Sequence, residues 1–141
     1  MYRVDYTDEA KSEIREFFQD DPIEAGVLVA ALEELNKQDY PPDELLVIYK
    51  KAKYPSFECG FFLHAFEKDG LRIWSLKVYL NDAKSGHPEA IGIRALIAPC
   101  HKHKKYIVLA ARARRRDVCY KTKGERYEKL VKDYYAFGCD Q

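Results

Sequence analysis

Apolar and polar positions change their period twice along this chain. Residues 2–6, "YRVDY", alternate and are rich in β-branched and aromatic side chains, which predicts a short strand. Over 7–18 the spacing becomes helical. Thr7 stands as the N-cap, Asp8 and Glu9 occupy the first turn, and Ala10, Ile14, Phe17 and Phe18 fall on one side. A second helix opens at once, with Asp21 as N-cap and Pro22 at the first helical position. Ile23, Val27, Val29, Ala30, Leu32 and Leu35 give it a broad apolar face, and two helices joined this closely predict an antiparallel hairpin. "QDYPPDE" interrupts the pattern, and "LLVIYKKAKYPSFE" reads as a short helix or turn leading into a sheet.

From residue 60 the period is two. "GFFLHAFE" and "LRIWSLKVYL", joined by "KDG", predict a hairpin closed by Gly70; "NDAKSGHPEA" predicts a loop. "IGIRALIAP" and "KYIVLAARA" predict a second hairpin around "CHKHK". A last amphipathic helix is expected over 124–137, with Tyr127, Leu130, Val131, Tyr134 and Tyr135 along one side. The order predicts a single α+β domain over 1–141: an N-terminal strand, a helical hairpin, a mostly antiparallel sheet of four to five strands and a C-terminal helix.

Parity then sorts the charges. Alternate residues of a strand lie on opposite faces. Trp74, Leu76, Val78 and Leu80 oppose Ile73, Ser75, Lys77 and Tyr79, while Ile93, Ala95 and Ile97 oppose Gly92, Arg94 and Leu96. In the last strand Ile107, Leu109, Ala111 and Ala113 are expected to oppose Tyr106, Val108, Ala110, Arg112, Arg114 and Arg116. The helices need one apolar face, so Lys77, Arg94 and the arginine series are expected to converge on an open one. Arg115 points the other way, as a salt-bridge former. Guanidinium groups grip phosphate oxygens bidentately and hold their charge at any working pH. The competing reading is a solvated strand end whose arginines pair with acids across the sheet.

Composition changes this picture in one respect. The 141 residues are 47% apolar and 33% charged, with a formal net charge of +1. That balance conceals an asymmetry: residues 101–141 carry twelve Lys or Arg against five Asp or Glu, and the first hundred carry a net −6. A basic surface on an acidic body points to an anionic partner.

Three stretches resemble the RelE/ParE superfamily of bacterial toxins from type II toxin–antitoxin modules. "IWSLKV" (73–78) and "GIRALI" (92–97) are similar to two of its strands. "ARRRDVCY" (113–120) is similar to its C-terminal segment, with Arg114 and Tyr120 at the spacing of RelE-type members. "YRVDYTDEAKSEIREF" also fits the family's opening. The resemblance implies a metal-independent, ribosome-associated messenger-RNA endonuclease, cytoplasmic and neutralised by a cognate antitoxin. A ribose 2′-hydroxyl attacks the adjacent phosphate and leaves a cyclic phosphate, which needs a proton acceptor, charge stabilisation and a protonated leaving group. Lys77 would then activate or orient the 2′-hydroxyl, Arg94 and Arg114 would hold the scissile phosphate, and Tyr120 would stack on a base or orient the substrate. Arg112, Arg116 and Lys105 would be further phosphate contacts. The ParE-type branch implies instead a non-catalytic module that inhibits gyrase or binds RNA or protein, and an adaptor whose basic face takes an acidic helix is a third reading.

Other constellations carry less. "CHKH" (100–103) holds good zinc ligands, but adjacent ligands in a short loop rarely close a tetrahedral site, so a polar turn is expected and neither metal nor cofactor. Cys59, Cys100, Cys119 and Cys139 form no CxxC. With no signal-like start and no long apolar window, reduced thiols in a cytoplasm are expected, with no membrane partner. His64 reads as a sheet residue and Cys119 as a buried thiol. Tyr134, Tyr135 and Phe137 are expected in core packing or at a partner surface.

Overall fold

A computed structural model of the chain describes residues 3–38, 57–59, 66, 68–81, 88–113 and 122–137. Strand β1 (Arg3–Tyr6) leads into helices α1 (Asp8–Asp20) and α2 (Pro22–Gln38). Strands β2 (Phe57–Cys59), β3 (Trp74–Asn81), β4 (Pro88–Ala90), β5 (Ile93–Cys100) and β6 (Lys105–Ala113) follow, and helix α3 (Glu125–Ala136) comes last. The class is α+β, with the N-terminal strand, helical hairpin, sheet and C-terminal helix in the expected order. β2 at Phe57–Cys59 lies ahead of the strand expected from residue 60, in the segment read as a helix or turn, and β4 is an additional strand.

Both helix starts are built by the caps the sequence announces. Thr7 Oγ1 accepts from Ala10 N–H at 3.0 Å, and Asp21 Oδ1 accepts from Glu24 N–H at 3.1 Å. A single residue, Asp21, separates the two helices, so they fold back as a hairpin.

The main sheet path runs β1-β6-β5-β3-β2, with β4 paired to β3. β1 lies parallel to β6, in register Tyr6↔Val108, and the other pairings are antiparallel. β4 therefore falls inside the segment expected to be a loop. Three-residue strands carry too few alternations to announce themselves.

One face of the sheet packs on the helical hairpin. Ala10 and Ile14 of α1 and Ala25, Leu28, Leu32 and Leu35 of α2 meet Trp74, Leu76, Val78, Ile93, Ala95, Ile97, Tyr106, Val108 and Ala111. Each fully buried aliphatic side chain here stabilises by about 1.5–3 kcal/mol. The opposite face packs on α3: Leu130 and Tyr134 meet Ile73, Leu96, Ala98, Cys100, Ile107, Leu109 and Ala110.

Several expectations are corrected here. The face that was to be open is covered by α3. In α2 the buried stripe is Ala25–Leu28–Leu32–Leu35, while Ile23 is 74% exposed and Ala30 is also outside. Apolar residues surround most of this helix, so their pattern alone could not choose a face. Tyr135 is 48% exposed, one position past the buried Tyr134. Phe66 is helical rather than part of a strand. Its carbonyl accepts from Leu71 N–H, Gly70 has φ +78°, and Phe66 and Leu71 share one apolar cluster. Such a bond, glycine and contact close a helix C-terminus in a Schellman motif, so "KDG" ends a helix instead of joining two strands. Cys100 is disulfide-bonded, against the expectation of reduced thiols.

The parity of β6 also departs from strict alternation. Leu96 pairs with Ala110 but Ile97 pairs with Val108, so Leu109 is an extra residue and forms a β-bulge. Leu109 and Ala110 face α3 in succession, and Ala111 returns to the helical hairpin. The bulge sits where β1 ends. There Thr7 N–H donates to the Val108 carbonyl and Thr7 Oγ1 donates to the Leu109 carbonyl at 2.9 Å. Thr7 thus caps α1 and satisfies the bulged backbone together.

Candidate functional site

Past the bulge, β6 realigns its basic residue with those of its neighbours. Arg112 stands directly opposite Arg94 of β5, and Lys77 of β3 comes level with Arg94 one step past the Leu76↔Ala95 pair. All three belong to the face that α3 covers, in a transverse row across adjacent strands spaced about 4.8 Å apart. Of the convergence expected from parity, Lys77, Arg94 and Arg112 share a face, Arg112 reaching it through the bulge and not through unbroken alternation, while Arg114 and Arg116 lie outside the described residues.

The row is deeply set. Arg94 is 4% exposed and Arg112 2%, while Lys77 is half-buried. Arg94 Nη1 donates to the Ile91 carbonyl at 2.6 Å and to the Ile93 carbonyl at 3.4 Å. Among the described residues its acceptors are neutral, which fixes its direction without cancelling its charge. Arg112 Nη2 donates to the carbonyl of Arg126, at the start of α3, at 3.3 Å. Its Nε lies 3.6 Å from Oε2 of Glu13.

Glu13 joins three elements. Its Oε1 accepts from Ala111 N–H at 3.3 Å on the edge of β6 that β1 leaves uncovered, and its Oε2 accepts from Arg126 of α3. Burial pushes the Glu13 carboxyl above its ordinary value, with a contribution from Glu9, and Arg126 and Arg112 pull against that. Like charges placed directly opposite each other in a sheet repel; Arg112 and Arg126 share the Glu13 carboxylate, and Glu58 of β2 stands opposite Lys77 in the register.

Sequence reasoning missed Glu13 and Arg126. A carboxylate three residues after Ala10 and one before Ile14, on the apolar side of α1, was the available signal for the first.

The other expected site residues divide two ways. Lys105 stands at the far end of the β5–β6 hairpin from Arg112, opposite Cys100, and its Nζ pairs with Asp5 at 2.8 Å. It does not join the row. Arg114, Arg116 and Tyr120, with Arg115 and Cys119, lie outside the described residues, as does His64. His101 and His103 are exposed, and among the described residues no group of three metal-ligating side chains comes together.

No helix among the described residues is long and apolar enough to cross a membrane. No family model, curated protein or solved structure matches this chain.

Proposed function

We propose that this chain is a RelE/ParE-like toxin domain that cleaves messenger RNA on the ribosome without a metal and is neutralised by a cognate antitoxin. The observation that carries the reading is the Lys77–Arg94–Arg112 row on one face of the sheet. In this reading Arg94, oriented by two backbone carbonyls, stabilises the charge that develops on the phosphorane. Lys77, the least buried of the three, orients the 2′-hydroxyl, and Arg114 and Tyr120 complete the site. The reaction runs in the cytoplasm.

One observation favours a second reading, a non-catalytic binding module of the same layout. Arg94 and Arg112 are nearly inaccessible on the face that α3 covers, as residues with a purely architectural task would be.

Purified protein added to translating ribosomes separates the two. Site-specific cleavage, lost in Lys77→Ala and Arg94→Ala while far-UV circular dichroism is retained, supports the endonuclease. Absence of cleavage by the wild type, with gyrase inhibition, supports the module. Cytoplasmic placement has its own check, because structural disulfides are rare in that compartment. The Cys100 disulfide stands against that placement: acid-quenched cells alkylated under denaturing conditions that yield Cys100 fully oxidised overturn it, and a reduced fraction supports it.

A further inference from the structure

The end of the sheet remote from the arginine row carries a second set of cations. The β5–β6 loop is "HKHK", residues 101–104, and all four are exposed. Arg3 of β1 is exposed beside them, tied in by its backbone N–H donating to the Lys104 carbonyl at 3.1 Å and by its register opposite Lys105. Lys105 is neutralised by Asp5. Among the described residues no carboxylate pairs with Arg3, Lys102 or Lys104.

Lys104 adds an independent sign. Its φ is +53°, and among the described residues it is the only non-glycine with positive φ. Glycine or asparagine takes that conformation at far lower cost than lysine. Positive φ at this exposed lysine is a local cost that a contact made by its side chain would offset.

We propose that Arg3, Lys102 and Lys104 form a phosphate-backbone contact for single-stranded RNA, separate from the Arg94 row. Seven strand steps lead from Arg94 to the first loop residue, so the two contacts lie roughly 23 Å apart along the hairpin. A strand engaged at both is held in register by the loop and presented to the row. An anionic membrane fits less well, since the loop offers no apolar side chain to insert and stable adsorption draws on buried apolar area. The choice of RNA rests on the function proposed above; the cationic surface does not.

The test is the binding of a fluorescein-labelled 20-nucleotide poly(U) across a salt series, for the wild type, Lys102→Ala, Lys104→Gly and their double variant. Removing one phosphate-binding lysine should make the slope of log K against log salt shallower by about 0.7, and affinity should fall. Lys104→Gly should keep or raise the melting temperature while weakening binding, an outcome that misfolding cannot mimic. Unchanged slopes in the double variant overturn the proposal whether or not the protein cleaves RNA. If the wild type binds poly(U) but cleaves nothing, and the variants bind more weakly, this contact stands while the endonuclease reading falls. Binding to vesicles of 30% phosphatidylserine in phosphatidylcholine, with none to poly(U), overturns it in favour of a lipid surface.

Discussion

At Glu13 two opposing effects meet on a single carboxylate. Desolvation disfavours its charge, and Arg126 and Arg112 favour it, with desolvation the larger. Glu13→Gln, which keeps an acceptor for Ala111 N–H, is therefore expected to change stability by less than about 1.5 kcal/mol. Glu13→Ala, which leaves that buried donor without a partner, is expected to cost about 2–3 kcal/mol. Urea titration reads both. The pH dependence follows from the sign of the shift. A carboxyl raised in the folded state binds its proton more tightly there than in the unfolded chain. Its contribution to stability is greatest at or below the ordinary value of 4.5 and declines as pH rises through the folded value. The wild type should lose stability relative to Glu13→Gln across that window, and a difference that is flat with pH contradicts the account. Sequence exposed Arg94 and Lys77 by parity, but it could not show that Arg94 is directed by carbonyls, because backbone acceptors carry no residue identity.

At the level of single elements, the starts of helices were legible and the β6 face was not. Thr7, Asp21 and Pro22 announce helix starts by local chemistry alone, and each acts where expected. The bulge at Leu109 depends on where β1 stops beside β6, a relation between residues about a hundred positions apart. Thr7 serves both elements, so its loss should exceed that of an ordinary cap. Thr7→Ala is expected to destabilise by about 2 kcal/mol and Thr7→Ser by much less, as measured by chemical denaturation. The Gly70 turn shows the opposite failure. The glycine was recognised, yet the same left-handed residue closes hairpins and helices alike, and only the Phe66–Leu71 pairing tells them apart.

For the molecule as a whole, the sheet is covered unequally. The helical hairpin buries the larger cluster, whereas α3 contributes two buried residues, Leu130 and Tyr134, assisted by half-buried Tyr127, Val131 and Phe137. Polar ties complete its docking. Tyr134 Oη accepts from Arg72 N–H at 3.2 Å, Tyr127 donates to Asp69, and Arg126 reaches Glu13. Hydrogen exchange is expected to report opening of α3 ahead of α1 and β5. Leu130→Ala, at a cost of about 2–5 kcal/mol, should accelerate exchange in α3 more than in α1. Partial burial and Asp69 push the Tyr127 phenol up to about 12. Titration followed at 295 nm should therefore show a late-ionising tyrosine, and Asp69→Asn should bring its midpoint down. The helix itself was evident from its periodicity. That it closes over the basic face was not, because the sequence does not say which side of a sheet a helix chooses.

The extra residue in β6 has a consequence for chain length. Deleting Leu109 would leave every remaining side chain of the strand on its present side, since Val108 and Ala110 already alternate correctly around it. β5 alternates without a break from Ile93 to Ala98 and has no such surplus. Deleting Ala95 would therefore either turn Arg94 into the apolar layer beneath α1 and α2 or send Leu96 and its successors to the wrong sides. Two shortenings of equal size, in neighbouring strands, should have opposite fates: a cooperative unfolding transition in the first, and insoluble protein in the second. Of the two strands that hold the arginines, one keeps a residue in reserve and the other does not.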